Sequence, residues 1–159
     1  MAHGGEHSLE VQIPFLQSLI PGFSFVPVAI AVGGFAPLEH LGEALALVLA
    51  RATKPVFIVA SSDMNHYEDD QTTRLKDRQA IDAMLALDPR RLHDVVRDSR
   101  ISMCGYGPAV AMLTAVCRLG ADRAELIRYS TSGDVTGERG RVVGYAGLVF
   151  YRQADQVYT

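Results

Sequence analysis

Apolar positions along the chain recur with two periods, and the elements follow from them. Leu38, Leu41, Leu45, Val48 and Leu49 fall every three to four residues after Pro37 and predict a helix closing near Arg51. Two strand-like runs flank it, Phe23 to Val32 before and the uninterrupted, β-branched Val56 to Ala60 after. Strand, helix, strand at this spacing predicts a right-handed βαβ unit, with Phe25 to Val32 parallel to a central Val56 to Ala60 strand buried on both faces.

The remaining pattern extends that unit on both sides. Leu9, Ile13, Leu16 and Ile20 predict a helix over His7 to Ile20 kinked at Pro14, although Val11, Ile13 and Phe15 also alternate as a strand would. Thr72 to Leu87 reads as a helix, and Asp88-Pro89 as an N-cap with proline at the first position of a second, with Leu92, Val95 and Val96 inward. Arg100 to Gly107 reads as a loop. Pro108 opens a helix carrying Met112, Leu113, Val116 and Leu119, and Glu125 to Thr131 and Val142 to Tyr151 are strands joined by the glycine-rich turn Ser132 to Arg141. The expectation is one α/β domain over residues 1–159, a mostly parallel mixed sheet flanked by helices, with residues 1–6 and 152–159 flexible.

Composition narrows the function classes. A net charge of −3 without a basic patch speaks against nucleic-acid binding. No apolar run reaches the roughly 18 residues that span a bilayer, and the first residues lack the order of a secretory signal, so the expectation is a cytoplasmic protein without membrane contact. Two cysteines, Cys104 and Cys117, with no CxxC pair argue against a zinc knuckle or a disulfide framework.

Chemistry concentrates in three places. After Ala60 the chain turns abruptly polar, and Ser61, Ser62, Asp63, Asn65 and His66 fall where an open α/β sheet places its crevice. Glu6-His7-Ser8 and Cys104-Gly105 are the others, Cys104 standing just ahead of a helix N-terminus that favours thiolate. A thiolate and two imidazoles suit iron, copper or zinc better than magnesium or calcium. Plainer roles stand beside each. His3 reads as tail, His40 and His93 as helix-surface histidines, and Cys117 as an inert buried thiol. Asp63 can cap a turn, and His66 can be a hydrogen-bonded core histidine. Gly33-Gly34 without GxGxxG is a weak phosphate signal.

Together these residues are more specific than apart. Glu6 to Phe15 (Glu-His-Ser-Leu-Glu-Val-Gln-Ile-Pro-Phe), Ser61 to Tyr67 (Ser-Ser-Asp-Met-Asn-His-Tyr), Cys104-Gly105, Thr131 to Gly137 and Val142 to Ala146 strongly resemble the Memo-like family, known in bacteria and archaea as the B component of the AmmeMemoRadiSam system. The resemblance runs from His7 to about Tyr151. It implies a fold shared with class III extradiol dioxygenases and a pocket for iron(II) or copper. By position it makes His7 and Cys104 metal ligands, with Asp63 and His66 beside the pocket in catalytic roles. The family's Pro-His-Ala-Gly segment, source of a further histidine ligand, has no counterpart here, so the expectation is a truncated domain with an incomplete site.

Two functions follow from the resemblance. One is a metal-dependent oxidoreductase related to extradiol dioxygenases, with Cys104 softening the site. The other is a non-catalytic adaptor that takes a peptide in the same pocket. A Cys104-histidine thiol hydrolase is a third reading, from the residues alone. The expected partners are a small molecule or peptide, AMMECR-type and radical SAM proteins by family association, and a second copy of the chain.

Overall fold

A computed structural model describes residues 7–31 and 33–153; the expectations for residues 1–6, for Val32 and for residues 154–159 lie outside them. Six helices and three strands are described. After a 3-10 turn at Glu10–Gln12 come α1 (Ile13–Leu19), α2 (Phe35–Leu49), β1 (His66–Glu68), α3 (Asp70–Leu85), α4 (Pro89–Asp98), α5 (Tyr106–Arg118), β2 (Arg123–Thr131), α6 (Gly133–Thr136) and β3 (Val142–Tyr151).

Local chemistry explains most boundaries. Asp69 caps α3 by accepting the Thr72 N–H at 2.9 Å, and Asp88 caps α4 by accepting that of Arg91 at 2.8 Å, with Pro89 following as the sequence predicts. Pro14 does not kink a long helix. It sits in the first turn of the short α1, where its missing N–H costs nothing.

The core lies among the helices and one face of the sheet. Leu38 of α2, Ile81 of α3, Leu92 of α4, Val110 and Leu113 of α5 and Val142 of β3 are fully buried. α2 and α5 approach so closely that a Cβ on Gly42 would stand 2.5 Å from the Ala111 carbonyl oxygen. His93, expected on a helix surface, is buried instead. Its Nε2 lies 3.1 Å from the Gly33 carbonyl oxygen, to which the Tyr106 hydroxyl also donates at 3.1 Å.

The sheet corrects the main topological expectation. It has the order β1-β3-β2, and both pairings are antiparallel rather than mostly parallel. Neither Phe23 to Ala31 nor Val56 to Ala60 forms a strand, and no backbone hydrogen bond joins Val56–Ala60 to another described segment. A central parallel strand must be covered on both faces. Here Phe57 is 79% exposed and Val26 86% exposed, so the layer that such strands require is not among the described residues. At the other end, the Gln153 N–H donates to Asp122 Oδ1 at 2.9 Å.

A second polar cluster fastens the sheet to α3. Arg74 reaches Asp134 at 2.7 Å and Asp70 at 3.0 Å, and Arg139 reaches Asp70 at 2.6 Å. The Arg74 guanidinium, with help from Thr131 and Arg139, holds the Asp70 carboxyl down to about 2. Arg74 also depresses Asp134, which accepts the Thr131 N–H at 2.9 Å. The Thr131 to Gly137 motif is therefore a structural clamp at the end of β2.

Candidate metal centre

Asp63, His66 and Cys104 come together where the polar end of the Ser61–Glu68 strip meets the loop before α5. Each offers one donor atom, and these atoms lie within 4.8 Å of one another. Asp63 Oδ2 stands 3.4 Å from His66 Nε2. Cys104 Sγ accepts the Asp63 N–H at 3.3 Å and lies 3.8 Å from the Ser62 hydroxyl oxygen. His66 and Asp63 are half-buried and Cys104 is exposed, so the group is open to solvent on the sulfur side.

Backbone pairing fixes the strip. The Met64 N–H donates to the Gly144 carbonyl, and the Gly144 N–H to that of Asn65, both at 2.9 Å. His66 then pairs with Val143 at the start of β1. Tyr67, directly after His66, holds a φ of 63°, a left-handed conformation that costs a non-glycine residue of order 1 kcal/mol. The register of β1 against β3 shifts at this residue, between His66 and Glu68, while the His66 N–H donates to the Ser102 hydroxyl at 2.7 Å.

Asn65 links the two arms of the site. Its Oδ1 accepts both the Ser102 N–H and the Ser102 hydroxyl at 3.0 Å, two residues before Cys104. Its Nδ2 donates to Glu68 Oε2 at 2.6 Å and lies 3.3 Å from Thr73 Oγ1. Beneath it the buried Asp77 accepts the Asn65 N–H at 2.8 Å and the Tyr129 hydroxyl at 2.7 Å. Burial pushes the Asp77 carboxyl above its ordinary range despite both bonds. On the Cys104 side, the Gly105 N–H donates to the Ser62 hydroxyl at 2.8 Å. A Cβ on Gly105 would stand 2.5 Å from the Ser61 carbonyl oxygen, so this close approach admits only glycine.

With that geometry in place, relatives can be compared. The sequence pattern of the Memo-like protein family matches residues 1–149. The chain belongs to the Memo-like family. It is 42% identical over 152 residues to a MEMO1 family protein of Methanopyrus kandleri, covering 95% of this chain and 54% of that protein. MEMO1 family proteins of Methanocaldococcus jannaschii and a Thermotoga species are 40% and 41% identical, with 93% and 95% of this chain and 53% of each of them covered. The chain thus spans about half the length of the curated relatives it matches.

Of the four residues singled out for the site, three meet. His7 is the fourth. It is exposed at the start of the chain's described part, with Nδ1 3.1 Å from Glu10 Oε2, and is not one of the three clustered donors. Its segment is nevertheless tied to the same strip, because Gln12 Nε2 donates to Ser61 Oγ at 3.0 Å.

Sequence reasoning missed the supports. Ser102 carried no motif of its own. Asp77 left a usable trace, since it shares the helical stripe of Thr73, Ala80, Ile81 and Met84, where a carboxylate needs a buried partner. Tyr145 borders the site too. Burial chiefly, and then the Asp63 charge, raise its phenol. Cys117 is the inert thiol expected of it, half-buried, donating to the Leu87 carbonyl at 3.4 Å and held protonated by burial.

Proposed function

We propose that this Memo-like chain is a metal-binding protein in which Asp63, His66 and Cys104 hold a redox-active transition metal, iron(II) or copper, for an oxidative reaction. The reading rests on the convergence of three unlike donors from two separate segments within 4.8 Å. A tetrahedral site asks for donors about 3.5 Å apart, a spacing that Asp63 Oδ2 and His66 Nε2, at 3.4 Å, already have. Thiolate and imidazole favour a soft or borderline ion, whereas magnesium or calcium would need more oxygens.

When bound, the metal supplies redox chemistry and open positions for a chelating substrate. The chain's own residues do the rest. The Asp63 N–H donates to the Cys104 sulfur and ties the two donor-bearing segments together. Asn65 fixes the separation of His66 and Cys104 through Ser102. His7 has Nδ1 engaged with Glu10, which leaves Nε2 as the ring nitrogen it could offer a metal, and it stands outside the three clustered donors.

The test is metal analysis of protein purified without an affinity tag. Iron or copper content is expected to fall to background in Cys104→Ala and His66→Ala and much less in His7→Ala. Equal loading of all variants and the unaltered chain would overturn the assignment. An adaptor that takes a peptide at the same pocket has no need of a thiolate beside an imidazole, and peptide binding untouched by Cys104→Ala would favour it.

A further inference from the structure

β2 ends the sheet. Its inner edge is paired with β3 from Arg123 to Thr131, and no described strand pairs with its outer edge. The Ser132 N–H donates inward, to the Val143 carbonyl at 2.9 Å, and the Thr131 N–H outward, to Asp134 Oδ2 at 2.9 Å. Alternation from there turns the amide of Tyr129 to the open edge and, past the extra residue Ile127 where the register shifts, those of Leu126 and Ala124. The side chains alternate in step. Ala124, Leu126 and Tyr129 are half-buried, while Arg123, Glu125, Ile127 and Arg128 are exposed. Leu126 and Tyr129 join Leu75, Arg78 and Ile81 of α3 in lining a trough of about 410 Å³ that no β3 residue lines.

This edge is complementary to itself. Set antiparallel about a two-fold axis at Leu126, two β2 strands bring their outward amides into register, Leu126 opposite Leu126 and Ala124 opposite Tyr129, with Ile127 bulging from each. The same register places Glu125 of each strand opposite Arg128 of the other. Glu125 accepts the Tyr151 hydroxyl through Oε1, which leaves its second carboxylate oxygen for the guanidinium. Arg128 makes no ion pair with a described residue. Exposed charges keep an edge strand from pairing at random, and here they match one partner. The helix layer agrees. α3 packs on both β2 and β3, so its axis runs over the line between them. A two-fold at the β2 edge sets the second α3 two strand spacings away, about 9.5 Å, within the roughly 8–10 Å at which helices pack. Leu75, 63% exposed, and the trough beside it then lie between the two helices.

We propose that the outer edge of β2, with the trough beside α3, joins two copies of this chain into a symmetric dimer whose sheet runs β3-β2-β2-β3 across the seam. The interface uses none of the residues of the candidate metal centre and needs no metal.

Sedimentation equilibrium of the unaltered chain is expected to show a monomer–dimer equilibrium, with the amides of Ala124, Leu126 and Tyr129 exchanging about tenfold or more slowly at high concentration than at low. Glu125→Arg and, separately, Arg128→Glu set like charges opposite one another at both crossings of the seam. Each should raise the dimer dissociation constant about tenfold or more without moving the thermal melting of the monomer. An equimolar mixture of the two variants restores opposite charges at both crossings and should dimerise as tightly as the unaltered chain. A chain that stays monomeric, a dimer indifferent to either reversal or without protection of those three amides, or variants that fail to recover on mixing would each overturn the proposal.

Discussion

Val56 to Ala60 and Ser61 to Glu68 are neighbours in sequence with opposite fates. The first is apolar and makes no backbone bond to another described segment; the second is polar and held from three sides by β3, by Ser102 and by Asp77. Hydrophobicity alone does not make a strand, because a buried strand also needs a partner edge and a covering layer. Directional bonds do specify the polar half, and they bring Asp63, His66 and Cys104 together in this chain alone.

The largest expected effect strikes the held half. In Gly144→Ala the new methyl would lie 1.8 Å from Asp77 Oδ2 and 3.2 Å from Met64 Cβ. Urea unfolding should show a loss of about 3 kcal/mol or more; a loss under about 1 kcal/mol would mean that the strip is not locked to α3. Asn65→Ala comes next. It strands the Ser102 N–H and should cost about 2 kcal/mol, and it should weaken metal binding about 10- to 100-fold, measured by competition with a chelator.

The clamp at Asp70 and Asp134 gives an acid signature. Both carboxyls are held below their ordinary 3.8, Asp70 at about 2, so the folded chain binds fewer protons than the unfolded one. Their stabilisation is whole above that ordinary value and is lost as pH falls from it through about 2. Arg74→Met should remove much of this loss, read as a flatter melting temperature between pH 4 and pH 2. An unchanged acid limb would show that the clamp is not what acid breaks. The smallest effect belongs to the open half. Phe57→Gln, at a position 79% exposed, should change stability by no more than about 0.5 kcal/mol, whereas a loss near 2 kcal/mol would show Phe57 buried in solution.

Sequence patterns reached the helices α2 to α5, the caps Asp69 excepted, and the strands β2 and β3, because periodicity and capping chemistry are local. They failed where the outcome depended on distant surfaces. Val56 to Ala60 has the composition of a central strand and lacks the neighbours of one. β1 is only three residues long, too short for a period, and exists because β3 offers an edge. His93 looked like a surface histidine because nothing in the sequence shows that Gly33 will present a carbonyl to it. At the site, the motifs point to His7 as well as to Asp63, His66 and Cys104, and only the last three cluster; the link through Asn65 and Ser102 spans 37 positions and is invisible in one dimension.

Cobalt(II) titration with visible and near-ultraviolet absorption tests the central claim most directly, since a thiolate ligand gives a sulfur-to-metal charge-transfer band that nitrogen and oxygen ligands do not. One equivalent of cobalt is expected to produce that band in the unaltered chain and in His7→Ala, to lose it in Cys104→Ser, and to bind far more weakly in His66→Ala. A band that persists in Cys104→Ser, or that never forms in the unaltered chain, would contradict a metal held by Asp63, His66 and Cys104.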